Sequence, residues 1–276
     1  MPELPEVEIT RRHLETAMVG RTVTSVSVTH PRTARLNASP QEVEARLFGR
    51  RVESMRRHGK FLVADLDDGF VLIAHLGMSG RFSLGDGSEE RVAHTHLVAV
   101  LDDRVEVRFV DPRTFGFVAV LDEDEIHESP LRRLGPDAWE EPPDATELVK
   151  RLAGRTAPIK ALLLDQGPVA GLGNIYADEI LHLARIHPLT PGGELGVARA
   201  GALVLAMGEI LAEAIESGGT TLEDLAYLLP DGTAGENLGR LRVYARTGRP
   251  CPVCDSPVER IVVRQRSTHF CPKCQA

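Results

Sequence analysis

Residues 249–275 read RPCPVCDSPVERIVVRQRSTHFCPKCQ and hold all four cysteines of the 276-residue chain. Cys251, Cys254, Cys271 and Cys274 form a C-x2-C-x16-C-x2-C pattern. Two knuckles at that separation present four thiolates in tetrahedral geometry, as structural Zn2+ requires. A redox or disulfide pair is the competing reading, which suits poorly a chain with every cysteine committed to this spacing. Between the knuckles, PVERIVVRQRSTHF is two β-rich runs joined at RQRS. One structural zinc thus pins a hairpin with Arg264 and Arg266 near its tip, where guanidinium forks suit phosphate oxygens. Zinc ribbons also serve as passive staples, so this stretch specifies an anchored basic hairpin and no reaction.

The formal net charge of -8 argues against a polyanionic partner only if charge is spread evenly, and it is not. Arg46, Arg50, Arg51, Arg56, Arg57 and Lys60 crowd one region; Arg240, Arg242, Arg246, Arg249, Arg260, Arg264, Arg266 and Lys273 crowd the tail. Acid gathers between them in DEDEIHE (122–128) and WEEPPDATE (139–147), which read as solvated, linker-facing surface. Ordinary surface charge remains the alternative account of this unevenness. A secretory signal needs a basic start and an apolar run, whereas this start is acidic. The longest apolar stretch, AGALVLAMGEIL, is too short for a bilayer and contains Glu209. The expectation is a soluble, cytoplasmic protein with no membrane partner.

Upstream of the tail, residues 218–241 (GGTTLEDLAYLLPDGTAGENLGRL) are weakly patterned, and loops of that length tend to be functional. Their Gly and Asp content predicts a mobile lid. Before them the period is helical from Pro130 onward: SPLRRLG, DATELVKRLAG, PIKALLLDQ, NIYADEILHLARI and VARAGALVLAMGEILAEAIESG, with EEPPD as a linker. Earlier still, TVTSVSVT, RRVESM, KFLVADL, FVLIAHL, HLVAVL, RVEVRFV and FGFVAVL are short strands split by DDG, GDG and DPR turns, as in a β-sandwich. One amphipathic helix opens the chain, with Ile9, Leu14, Ala17 and Met18 on its apolar face and Gly20 as its stop.

The chain begins MPELPEVE. With Met1 removed, Pro2 presents a secondary amine whose reference pKa of roughly 7.7 to 8.0 leaves a useful fraction unprotonated at neutral pH. Such amines attack electrophilic carbon and form iminium ions, and the elimination that follows needs an acid and a base nearby. Glu3 is adjacent. The plainer alternative makes Pro2 a rigid start and Glu3 a favourable charge at a helix N-terminus.

MPELPEVE, HGKF, HLGMSG, DPRTFG, GLGNIYADE and RSTHFCPKCQ, six separated motifs in one order from Met1 to Gln275, resemble the formamidopyrimidine-DNA glycosylases, bacterial base-excision repair enzymes for oxidised purines. The resemblance implies an α+β protein: an N-terminal β-sandwich catalytic domain (1–135), a linker (136–155), a helix-two-turn-helix DNA-binding domain with the lid loop (156–240) and a zinc-finger hairpin (241–276). It implies a monomer that binds damaged double-stranded DNA between its domains, with one structural Zn2+ and no small-molecule cofactor. It also implies a bifunctional enzyme that cuts the glycosidic bond and then nicks the strand by β,δ-elimination. Pro2 matches the nucleophile at C1′ that forms a Schiff base, and Glu3 the acid that protonates the sugar during ring opening. Lys60 matches the lysine of β-elimination and phosphate contact, Arg266 the arginine of δ-elimination.

Extruding a base leaves a hole in the duplex. Met78, Arg113 and Phe115 match the trio that fills it: an apolar plug, a donor to the orphaned base and a wedge. Asn174 opens a helix whose free amides and side chain suit a phosphate, and His75, His94 and Arg155 align with DNA-contact positions. Two departures stand out. Thr114 replaces a frequent second arginine, and GENLGRL replaces an aromatic-Gln pair in the lid, which bears on recognition of 8-oxoguanine. The competing classes are an endonuclease VIII-like glycosylase for oxidised pyrimidines, which resembles PEGPE at the start, and a non-catalytic DNA-binding homologue.

Overall fold

The computed structural model describes residues 2–222 and 227–275. The fold is α+β, in two compact units: Met1–Arg132 with Ser217–Glu236, and Arg133–Glu216 with Asn237–Ala276.

The first unit opens with α1 (Leu4–Met18). Pro5 lies in its first turn, where the N–H it lacks has no helical acceptor anyway. Val7, Leu14 and Met18 fall on one face and enter the core. Extended Val19 and then Gly20, at φ +82°, end the helix. There follow β1 (Val23–Val28), α2 (Pro40–Leu47), β2 (Val52–His58), β3 (Phe61–Leu66), β4 (Val71–His75), β5 (Arg81–Gly85), β6 (Thr95–Leu101), β7 (Glu106–Val110), β8 (Phe117–Leu121) and α3 (Glu123–Glu128). The strands build two four-stranded sheets in the orders β1-β6-β7-β5 and β2-β3-β4-β8, with antiparallel pairing throughout. Residues from both sheets and α1, among them Leu62, Ala74, Phe82, Leu97, Phe109 and Val118, share one hydrophobic core.

Three elements went unread in the sequence. Ser39 caps α2 by accepting the Glu42 N–H, and Asp122 caps α3 by accepting the Glu125 N–H. The run DEDEIHE is thus a short helix on this unit. Strand β5 is the edge strand of its sheet. SPLRRLG, expected as a helix, is only a 3-10 turn at Pro130–Arg133. Most of the basic run from 46 to 60 is internally neutralised: Arg46 pairs with Glu125, Arg50 with Asp68, Arg56 with Asp65 and Arg57 with Glu8. Charge clustering along the chain therefore overstated the positive surface here. Glu8, also bonded by Arg11 and Arg12, is nearly buried, and burial opposes its ionisation; the three arginines outweigh that and hold its carboxyl below the usual range.

The second unit holds α4 (Ala145–Leu152), α5 (Ile159–Leu164), α6 (Asn174–Leu183), α7 (Val197–Glu216) and the hairpin of β9 (Glu259–Val263) and β10 (Arg266–Phe270). The stretch EEPPD lies inside this unit. Val263 pairs with Arg266, leaving Arg264 (φ +44°) and Gln265 (φ +64°) as a two-residue connection. Positive φ at both central positions is the type I′ geometry that matches strand twist. No helix among the described residues is long and apolar enough to cross a membrane.

Candidate functional site

In the first unit, Pro2 and Glu3 are buried at the start of α1. Glu3 is the helix N-cap residue, in extended conformation, and its N–H donates to Glu6 Oε2 at 2.7 Å. The other oxygen, Glu6 Oε1, accepts the Thr220 N–H at 2.8 Å. Gly219, at φ +78°, lies so close that a Cβ there would sit 2.9 Å from Glu6 Oε1. The Tyr227 hydroxyl reaches the Glu6 carbonyl at 3.4 Å, and its phenol is pushed well above its ordinary pKa by burial and then by the Glu6 charge. One carboxylate therefore fixes the N-terminus of the chain and the base of segment 217–236 together.

That segment is braced in its described parts. Glu236 N–H donates to Ser217 O, Gly235 N–H to Thr221 Oγ1, and Leu84 N–H on β5 to Pro230 O. Residues 223–226 of the expected lid lie outside the described residues.

Lys60 is half-buried in the two-residue turn between β2 and β3. Gly59, at φ +58°, takes the first central position, and its carbonyl accepts from buried Arg57 at 3.0 Å. Next to this turn, His75 pairs in register with Phe61 and packs against the Phe61 and Phe117 rings. Its Nδ1 accepts the Gly77 N–H at 3.0 Å, so the neutral ring carries its proton on Nε2. Burial first, then the positive charges of Lys60 and Arg35, lower the imidazole to about 4. Between the ordinary value of 6.5 and that value, the unfolded chain binds a proton that the folded chain refuses. The neutral ring is therefore fully tolerated above 6.5, and stability is lost as pH falls toward 4. Replacing Lys60 with Met should raise the His75 midpoint in an NMR titration, because one repelling charge is gone; an unchanged midpoint would show that the two side chains are not coupled.

Met78, Arg113 and Phe115 are brought together on two adjoining turns. A Cβ on Gly77 would lie 2.5 Å from the Phe115 carbonyl carbon and the Gly116 nitrogen, so only glycine permits this approach. Beneath the turns, Asp111 is fully buried. Its Oδ1 accepts from Ser79 Oγ at 2.6 Å and from the Arg113 N–H at 3.2 Å, and its Oδ2 from the Gly116 N–H at 2.6 Å. Arg35 binds the Phe115 and Gly116 carbonyls from the other side. So braced, the tip exposes Phe115 to 42 % and carries the Arg113 guanidinium 4.8 Å from its ring centroid. Thr114 takes φ +55° in this turn. His94 is exposed at φ +65°, and its carbonyl accepts the Asp111 N–H.

In the second unit, α6 meets the hairpin along one face. Asn174 is the first helical residue, after Gly173 as cap, and its Nδ2 donates to Ser267 O at 3.0 Å instead of capping the helix. Its buried Oδ1 has no hydrogen-bond partner among the described residues. One turn on, Asp178 binds Lys160 Nζ at 2.7 Å through one oxygen, and the His269 N–H and Nδ1 through the other. Glu179 accepts the N–H groups of Arg242, Val243 and Tyr244 at 2.7 to 2.9 Å. Burial pushes its carboxyl up in spite of those bonds. Lys160 and Asp178 are both wholly buried, so removing one member leaves an uncompensated charge. Asp178→Ala should cost about 3–5 kcal/mol in urea unfolding, and a loss below about 1 kcal/mol would contradict this reading.

This docking sets the course of β10, whose first residue Arg266 is exposed beside the exposed Arg264. Arg155 stands apart from them on the exposed turn after α4, with its carbonyl bonded to the Gly193 N–H.

The four cysteine sulfurs lie within 4.8 Å of one another, with Cys251 to Cys274 at 3.9 Å and Cys254 to Cys271 and to Cys274 at 3.4 Å. A tetrahedron with Zn–S bonds of about 2.3 Å has edges of about 3.8 Å. Backbone N–H groups of Val253 and Cys274 point at Cys251 and Cys271 sulfurs. The residues fit one structural zinc, and four protein ligands leave no position for a reactive water.

Sequence reasoning missed Glu6, Ser79, Asp111 and Arg35 as supports, and Asp178 and Glu179 as docking residues. A signal existed only for Glu6, as the acid three residues after a helix cap.

Matches to known proteins fall in three consecutive stretches of the chain. Residues 1–118 match the formamidopyrimidine-DNA glycosylase N-terminal domain, 134–225 the formamidopyrimidine-DNA glycosylase H2TH domain, and 248–276 a zinc finger found in FPG and IleRS. A formamidopyrimidine-DNA glycosylase of Thermus thermophilus is 45% identical over 276 residues, covering 100% of this chain and 98% of the relative. Among solved structures, a Lactococcus lactis Fpg mutant in complex with DNA containing Fapy-dG superposes with a TM-score of 0.90 at 36% identity, covering 99% of both chains. The L. lactis Fpg in complex with DNA containing an abasic site gives a TM-score of 0.90 at 35% identity over 100% of both. With both units and the hairpin accounted for by one set of relatives over its whole length, the chain belongs to the formamidopyrimidine-DNA glycosylase family.

Proposed function

We propose that the chain excises oxidised purines from double-stranded DNA and then nicks the strand, acting as a monomer in the bacterial cytoplasm. The observation that carries this reading is the locked start of α1, where Glu6 ties the Glu3 N–H, next to buried Pro2, to Thr220 of segment 217–236. The Pro2 nitrogen attacks C1′ of the extruded nucleotide. The C1′–N bond to the base breaks, the base leaves with the bonding pair and takes up a proton, and Glu3 protonates the ring oxygen as the sugar opens to an iminium ion. Loss of a C2′ proton then expels the 3′-phosphate, with Lys60 assisting, and a second elimination expels the 5′-phosphate, with Arg266 at the phosphate. Hydrolysis of the iminium ion returns Pro2 as the free amine.

Met78, Arg113 and Phe115 sit on the braced tip and fill the space left by the base; apolar wedges of this kind keep a duplex open at a cost of a few kcal/mol per unstacked step. In the second unit, Asn174, Arg155, Arg264 and Arg266 supply phosphate donors. Zinc holds the hairpin and takes no part in bond cleavage. The test is borohydride trapping on three duplexes, with 8-oxoguanine, with a preformed abasic site, or undamaged. Covalent adduct on the first two and none on the third is the expected result. Adduct only at the abasic site would remove the glycosylase step from this reading.

A further inference from the structure

Helix α6 carries a fourth residue on its hairpin-facing side for which the repair chemistry has no use. His182 Nε2 lies 3.3 Å from the Sγ of Cys251; the histidine is 3 % exposed and the cysteine not at all. Its other ring nitrogen, Nδ1, is buried without a hydrogen-bond partner among the described residues. The sulfur is thus the ring's polar contact among the described residues. A sulfur bound to zinc has lost its proton, so at this contact only the ring nitrogen can donate. That donor is present in the imidazolium ion and in one neutral tautomer alike.

We propose that His182 is an outer-shell donor to the zinc cluster, its Nε2–H bonding the Cys251 thiolate and retarding loss of the metal. Four thiolates on one Zn2+ leave two surplus negative charges, and Cys251 sits in a small core with Val243, Val258 and the other cysteines. Each N–H aimed at a sulfur draws off part of that charge and makes the sulfur harder to protonate. Backbone N–H groups reach the Cys251 and Cys271 sulfurs at 3.5 and 3.4 Å. The histidine adds a side-chain donor at Cys251, one of the two fully buried cysteines. It also forms part of the wall of a cavity of about 110 Å3, lined by Arg185, Arg242, Val253 and Cys274 among others, which borders the cluster at Cys274. Because Cys251 and α6 are linked by this bond, it joins the metal to the helix that docks β10.

The inference rests on zinc filling the four-cysteine cluster, which metal analysis of the purified full-length protein establishes separately. Protein with no zinc would overturn the metal reading itself. With one zinc per chain, transfer to a chromogenic chelator should be about tenfold faster in His182→Phe, while His182→Gln, whose amide nitrogen has the reach of Nε2, should return to within about threefold of the parent rate. Equal rates in the Phe variant and the parent would overturn the proposal. So would a Gln variant as fast as the Phe variant, since ring packing and not donation would then matter. Nitrogen-15 shifts of the unsubstituted protein give a reading independent of any substitution. A proton on Nε2 is expected, and a bare Nε2 with the proton on Nδ1 overturns the proposal.

Discussion

Acetylating the Pro2 nitrogen, or retaining Met1 in front of it, should reduce borohydride-trapped adduct to background and slow base release by something on the order of 10³-fold or more, as in other enzymes stripped of their nucleophile. The change turns a secondary amine into an amide, whose lone pair is delocalised into the carbonyl and no longer attacks carbon. No charge-bearing side chain is altered. Glu3 keeps its bond to Glu6, and Glu6 its bond to Thr220. The turns that present Met78, Arg113 and Phe115 are braced by Asp111 and Arg35, remote in sequence from the amine. Affinity for damaged duplex, measured by fluorescence anisotropy, should therefore stay within a few-fold of the parent. Undiminished trapping in the blocked protein would transfer the nucleophile to another amine, with Lys60 first in line.

Removing zinc, by chelation or by Cys271→Ser, should abolish tight DNA binding and leave the first unit folded. The core around the cluster comprises Val243, Val258 and the four cysteines, far too little apolar surface to order a hairpin. Structural zinc supplies on the order of 10 kcal/mol to such small modules. Without it the two-residue connection at Arg264 and Gln265, both at positive φ, loses the anchor at the open end of its hairpin, and Ser267 is withdrawn from Asn174. Loss of two arginine–phosphate contacts at about 1.5–3 kcal/mol each weakens binding by about 10²-fold or more. Circular dichroism should show the sheet content of the first unit retained. Full binding by protein verified to be metal-free would refute the structural role assigned to the cluster.

Local signals in the sequence were the reliable ones. The cysteine spacing specifies the cluster, the change from alternating to helical period separates strands from helices, and the type I′ hairpin falls where two β-rich runs meet at RQRS. Even α2 had a local sign, since Ser39 and Glu42 stand at capping distance. Strand β5 was hidden because RFSLG is short and runs straight into a GDG turn. What local reading cannot supply is partners. Arg46 looks like a DNA-facing cation until Glu125 is folded against it. Asn174 looks like a cap until β10 brings the Ser267 carbonyl to its amide.

The residues proposed as catalytic and void-filling were named by resemblance, yet what holds them in place was not readable. Glu6 and Thr220 are 214 positions apart, and Asp111 braces a turn containing Ser79. Such supports arise only when tertiary structure closes, and buried polar groups then take whichever partner completes their hydrogen bonds.

The most direct measurement is peptide mapping of the borohydride-reduced adduct formed on a duplex with one 8-oxoguanine. After proteolysis and nuclease digestion, tandem mass spectrometry should find the sugar remnant on the N-terminal peptide, attached to the nitrogen of Pro2, with Met1 absent. A remnant on the peptide that carries Lys60, or on any other lysine, would contradict the account.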